Sequence, residues 1–223
     1  MLLAIDSATT LSGVALYAND VPLAEICWES GRNHSAQLLP QIDLLLRHVG
    51  AVQSDLTAIA VALGPGSWSG LRVGLSLAKG MALAGDLPLI GVSSLEALAY
   101  QHMPAAAPLF PLIQLGRDRF AVAEFRGRER LERRTPDQNL SLVDLIGLPR
   151  ERGFFCGDLS AATRTALREG LANRAILPAP SANLRRPAFM AELAWQRFKS
   201  GQLDDLATLE PIYLGEPVKP KQG

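Results

Sequence analysis

Two short segments combine residue types and spacing suited to holding phosphate. The first is Asp6-Ser7-Ala8-Thr9-Thr10, a carboxylate followed by hydroxyls and small residues. At a strand end, Ser7 and Thr9 with nearby amides can hold phosphate oxygens while Asp6 reaches a metal or a water. A local Asx turn accounts for the same residues. The second segment is Gly64-Pro65-Gly66-Ser67-Trp68-Ser69-Gly70. Gly64 and Gly66 allow close backbone approach, and amides at the start of a following helix can hold an anion. A tight structural turn is the competing explanation. The spacing is neither GxGxxG nor GxxxxGK[ST], so dinucleotide-binding and Walker readings fail. Lys79 lies too deep in the following helix to serve as a Walker lysine.

Nothing else in the sequence resembles a reaction centre. The histidines His34, His48 and His102 form no i,i+3 or i,i+4 pair, and there is no HExxH, GxSxG or Cys/His cluster. His34 reads as a residue at a helix start rather than a base. No catalytic residue and no metal ligand is therefore expected. Cys27 and Cys156 are far apart and lie in apolar runs, which suits buried thiols in a reducing, cytoplasmic setting. Asp6 falls too early for a signal peptide, and no apolar run reaches the ~20 residues of a membrane helix.

Of the 223 residues 48% are hydrophobic and 20% charged, a globular composition. The net charge of zero argues against a free-standing nucleic-acid binder. It hides an asymmetry: residues 1–107 carry four basic and eight acidic side chains, and the remainder eighteen and fourteen. Residues 117–134 alone hold seven arginines (Arg117, Arg119, Arg126, Arg128, Arg130, Arg133, Arg134) against four acids. With no aromatic stacking set beside them, a solvated hairpin is the plainer reading, and contact with nucleic-acid phosphates the alternative.

Periodicity supplies the scaffold. Strands are expected at Leu2–Asp6, Gly13–Ala18, Val21–Glu29, Thr57–Leu63 and Pro88–Val92. A leucine-rich helix over Leu38–Val49 contains Pro40, a second helix ends near Ala84, and Ser93 with Glu96 caps a third. Short connections make the first three strands antiparallel neighbours. Three strands, helix, strand, helix, strand is the repeating half of the α/β actin-like ATPase (ASKHA, ribonuclease H-like) fold. Pro104–Pro108 divides the chain into lobes at 1–105 and 106–223, each with a mixed five-stranded sheet. In the second lobe, strands are expected at Leu109–Gln114, Arg119–Arg126, Arg128–Arg134, Gly153–Gly157 and Ala175–Leu177. Helices are expected at Ser160–Glu169 and Pro187–Lys199, the last able to pack back on the first lobe.

The helix after the glycine loop stands out. Gly70, Gly74, Ala78 and Ala82 form one small-residue stripe, and Ser76, Gly80 and Ala84 another. Between them lie apolar residues, with Arg72 and Lys79 the charged exceptions. A helix apolar nearly all round needs cover on most sides. The lobe's own sheet supplies one side and a second subunit is the natural candidate for another. The expected interface is Leu71, Arg72, Gly74, Leu75, Ala78, Lys79 and Ala82, with Leu38, Leu39 and Ile42 from the leucine-rich helix. On that reading Gly74→Leu or Ala78→Leu blocks the partner and leaves the fold largely intact.

Leu3–Thr9, His34–Pro40, Gly64–Gly74, Ala78-Lys79-Gly80 and Pro88–Leu95 together resemble the bacterial TsaB (YeaZ) family. The resemblance covers the N-terminal half in order and is looser beyond it. It implies a non-catalytic dimerisation subunit that supports a TsaD-type transferase. With a small TsaE-type ATPase, that assembly moves a threonylcarbamoyl group to adenosine 37 of ANN-decoding tRNAs. It also implies a homodimer through the same surface when the chain is alone, contact with tRNA only through the complex, and no cofactor of its own. ATP or ADP would lie near the interface. Where TsaD carries two metal-binding histidines, Ser94 and Leu98 stand here, and neither replaces an imidazole. The family's usual Asp-Ala-Arg is Gln114-Leu115-Gly116, and its Tyr-Leu-Arg is Tyr213-Leu214-Gly215. The competing expectation is an ATP-dependent phosphotransferase of the same fold, using Asp6 and the Gly64–Gly70 loop.

Overall fold

A computed structural model of the chain describes residues 1–31, 33–116 and 118–214. Apolar runs separated by turn residues make β1 (Leu2–Asp6), β2 (Leu11–Ala18) and β3 (Val21–Glu29), paired antiparallel. Asn19 and Asp20 take positive φ between β2 and β3, a conformation that Asn and Asp tolerate. Next come α1 (His34–His48), with Pro40 inside it, β4 (Ala58–Gly64), α2 (Trp68–Gly85), β5 (Leu89–Ser93) and α3 (Ser94–Tyr100). The Ser67 hydroxyl accepts from the Gly70 amide and caps α2, and Ser93 caps α3 by accepting from the Glu96 amide. Strands β1, β4 and β5 run parallel, giving the order β3-β2-β1-β4-β5.

The second half repeats this connectivity. It contains β6 (Leu109–Gly116), β7 (Arg119–Val122), β8 (Phe125–Arg126), β9 (Glu132–Arg133), β10 (Gln138–Ser141), α4 (Leu142–Gly147), β11 (Gly153–Gly157), α5 (Ala161–Leu171), β12 (Ala175–Ile176) and α6 (Pro187–Lys199). The order β10-β7-β6-β11-β12 matches the first sheet position for position, with β8 and β9 attached beside β6. This is the actin-like arrangement. One expected strand is corrected. Arg128–Arg134 contributes only the two residues of β9, and the third long strand is the polar β10, paired with β7.

Side chains alternate across β1 as a pleated strand requires. Leu3 and Ile5 face a core with Leu38, Leu45 and Ala78 of α1 and α2. Leu2 and Ala4 face Met190, Ala191 and Ala194 of α6. The last helix thus covers the first sheet. Its place is held by Glu25, which accepts from the Ala188 amide and pairs with Arg186 at 2.6 Å. Asp20 accepts from Trp195 and Lys199 near the other end. Leu95 and Ala99 of α3 pack with Leu109, Ile113 and Ala121 of the second sheet, so α3 ties the two sheets together. No helix among the described residues is long and apolar enough to cross a membrane.

Candidate functional site: a closed cleft and an open helix face

Strand β1 delivers Asp6 to the cleft between the sheets, and β4 delivers the glycine loop beside it. The two loops touch. The Ser67 amide donates to the Ala8 carbonyl at 2.6 Å, and the Ser7 hydroxyl donates to the Gly70 carbonyl at 2.8 Å. A Cβ on Gly66 would overlap the Ala8 carbonyl, one on Gly70 the Ser7 carbonyl, and one on Gly74 the Ser7 hydroxyl. Gly64 sits at φ +105° with the Ile212 carbonyl against it, a conformation that favours glycine. These glycines let the two loops and the α2 start approach one another closely, and the polar groups of Ser7 and Gly70 bond each other. Thr9 turns inward to Leu11.

Asp6 is engaged as well. It accepts from the Ala8 amide at 3.0 Å and receives a bidentate pair from Arg185, Nε to Oδ2 at 3.0 Å and Nη2 to Oδ1 at 3.1 Å. Nη2 also donates to the Leu11 carbonyl. Arg185 is 6% exposed. Burial works against its charge, but the Asp6 and Asp158 carboxylates outweigh burial and hold it above its ordinary value. Burial pushes the Asp158 carboxyl up, with Arg185 opposing, and Asp158 accepts from the Gln114 amide at 2.9 Å. Arg185 Nη1 and Ser94 Oγ are buried without a hydrogen-bond partner among the described residues. Both residues line a cavity of about 10 Å³ with Asp6 and Leu98, room for about one water.

Sequence reasoning missed Arg185 and Asp158. A signal for the first was present: Arg185-Arg186 directly precedes α6, where the helix dipole disfavours cations and a buried acid partner is called for. His34 opens α1 and is buried, its Nδ1 within 2.8 Å of Ser12 Oγ and 3.0 Å of Ser30 Oγ. Burial lowers its pKa against the pull of Asp6 and Glu29. Among the described residues no group of three His, Cys, Asp or Glu side chains could hold a metal ion.

The structure sorts the expected interface residues into buried and exposed ones. Leu38, Ile42, Leu71, Gly74, Leu75, Ala78 and Ala82 are buried inside their own lobe. The stripe of Gly70, Gly74, Ala78 and Ala82 faces the Ser7 loop, the sheet and α1 within its own lobe. The other stripe is open. Arg72, Ser76, Gly80 and Ala84 are exposed, Leu83 is 74% exposed, and a Cβ on Gly80 would meet nothing within 4 Å. Across from it on α1, Leu39 is 53% exposed. Between the helices runs an apolar groove of about 360 Å³ lined by Leu38, Leu39, Arg72, Val73, Ser76 and Leu77. Lys79 is half-buried at its side. At the start of α2 the Arg72 guanidinium lies 4.0 Å over the Trp68 ring and donates to the Tyr213 hydroxyl at 3.1 Å. The departures at Arg117 and Gly215 lie outside the described residues.

The fold is a duplicated actin-like one in which the Asp6–Thr10 segment and the glycine loop contact each other. Residues 28–213 match the family model described as TsaD: tRNA N6-adenosine threonylcarbamoyltransferase. The chain is 30% identical over 217 residues to the tRNA threonylcarbamoyladenosine biosynthesis protein TsaB of Bacillus subtilis, spanning 96% of this chain and 93% of that protein. To the protein of the same name from Escherichia coli it is 40% identical over 100 residues, 44% of this chain and 42% of that one. The crystallised YeaZ of Pseudomonas aeruginosa superposes with a TM-score of 0.79 at 24% identity, over 96% and 99% of the two chains. The chain belongs to the TsaB family.

Proposed function

We propose that the chain works in tRNA threonylcarbamoyladenosine biosynthesis as a non-catalytic subunit. It binds and supports a TsaD-type transferase during threonylcarbamoyl transfer to adenosine 37 of ANN-decoding tRNAs. The observation that carries this reading is the contrast within α2: one face closed against its own lobe, the other open, apolar and grooved. An exposed apolar surface of this kind marks a protein contact. The homologous transferase is the proposed occupant, a second copy of this chain takes its place in isolation, and a TsaE-type ATPase joins the assembled pair. The subunit and its complex are proposed to act in the cytoplasm.

The cleft supports the non-catalytic half of the reading. Phosphate oxygens would need the amides and hydroxyls that Ser7, Ser67 and Gly70 use on one another, and Arg185 takes the carboxylate that would hold a metal. That geometry weighs against a phosphotransferase. On this reading ATP or ADP, if the complex uses it, lies near the partner interface rather than between the lobes. The test is threonylcarbamoyl transfer to tRNA with the organism's TsaD-type, TsaE-type and adenylate-forming proteins, with this chain added, omitted or alone. Transfer that requires both chain and partner is expected. Undiminished transfer without the chain, or ATP turnover by the chain alone, would overturn the reading.

A further inference from the structure

The second lobe carries an arginine groove that neither the cleft nor the α1–α2 face uses. One wall is Ala105, Ala106, Ala107 and Pro108, and the other is the β8–β9 turn. The turn is built rather than loose. Ala105 N donates to the Gly127 carbonyl at 3.1 Å, and a Cβ on Gly127 would overlap the Arg130 carbonyl. The cavity between the walls measures about 560 Å³, and a second recess of about 500 Å³ adjoins it along Ala105–Pro108 and Arg126.

The arginines here divide into two sets. Arg126 pairs with Glu124 and Glu151, Arg134 with Glu132, and Arg133 with Asp137 while stacking over Phe125. Those pairs fix the frame. Arg128, Arg130 and Arg152 line the two recesses and have no hydrogen-bond or ion-pair partner among the described residues. Glu129 is the one lining acid likewise unpaired, leaving a positive balance. His102 also lines the second recess, 5.1 Å from the Phe154 ring, its Nε2 buried and without a partner among the described residues. Burial lowers its pKa.

The geometry points to a contact site for an RNA sugar-phosphate backbone, with Arg128, Arg130 and Arg152 on phosphates. Cations arrayed along a groove without a stacking platform suit a backbone contact that is indifferent to sequence. A zero net charge over the whole chain allows this, because the first half carries the acid excess and the second the basic one. The inference rests on the function proposed above, which brings tRNA to the complex, and makes this subunit one of its holders.

The test uses the complex of this chain with its TsaD-type partner and measures tRNA affinity across a salt series. Arg128→Ala/Arg130→Ala/Arg152→Ala is expected to weaken binding about tenfold. The slope of log K against log salt should fall by about 2, as loss of two to three phosphate contacts requires. Sedimentation should still show the heterodimer, and the triple lysine variant should keep most of the affinity and slope. Wild-type affinity and slope in the alanine variant would overturn the site while leaving the proposed function standing. A wild-type complex that neither binds nor modifies tRNA would remove the function and this inference with it.

Discussion

The two faces of α2 hold similar residues under opposite demands. On the inner face Gly70, Gly74, Ala78 and Ala82 are small because backbone and hydroxyl groups of the Ser7 loop and the sheet lie against them. On the outer face Ser76, Gly80 and Ala84 are exposed, and a Cβ on Gly80 would meet nothing within 4 Å. Small size therefore has no single meaning along this helix. It is a packing requirement where space is already filled, and an opening for a neighbour where it is not.

The sharpest way to break that contrast is to add bulk on the inner face. Gly74→Leu drives a side chain into the Ser7 hydroxyl and breaks its bond to Gly70. It should cost about 3 kcal/mol or more, seen as loss of soluble protein or a collapsed melting temperature. The sequence alone led to the opposite expectation, that this variant spares the fold. Next in size is Arg185→Met in the closed cleft, which strands Asp6 and Asp158 and should cost about 3–5 kcal/mol in urea unfolding. Adding Asp6→Asn should restore part of that loss.

On the open face, Leu39→Asp or Leu83→Arg should leave stability within about 0.5 kcal/mol. Calorimetric titration with the TsaD-type partner should show affinity reduced about 100-fold, as for loss of a central apolar contact. Gly80→Ala should raise stability by about 0.5–1 kcal/mol through helix propensity alone. If it lowers stability, the outer face is not open. The smallest effect concerns pH. Burial depresses His34 and His102, so each favours the fold in its neutral form. Their contribution is complete above the ordinary histidine value near 6.5 and is lost as pH falls from there towards the lower folded values. Melting temperature should drop across that window, and less so in His34→Gln.

Much of the scaffold was legible because period and composition agree. The residues of β1 and β3 and the span of α6 follow from apolar runs bounded by turn formers and proline. Strand β10 was missed because Gln138-Asn139-Leu140-Ser141 has neither alternation nor β-branched side chains, and only pairing with β7 makes it a strand. The charged Arg128–Arg134 run looked more regular than it is. At the cleft, Asp6 announced itself as a carboxylate at a strand end. Its partner lies 179 residues away, beyond any local pattern. The inner and outer stripes of α2 were equally visible, but sequence alone does not say which one the sheet claims.

The position of α6 has a consequence for how the protein comes into being. During synthesis the first sheet is complete once β5 has emerged, yet one of its faces, with Leu2, Ala4, Ala15 and Ala60, stays bare until residues 187–199 appear. Exposed sheet of this kind is the form in which nascent chains stick to one another. The first lobe is thus the earliest to be made and among the last to be finished. A ribosome stalled before α6 would display a surface that chaperones recognise, even though every strand of that sheet had already been translated.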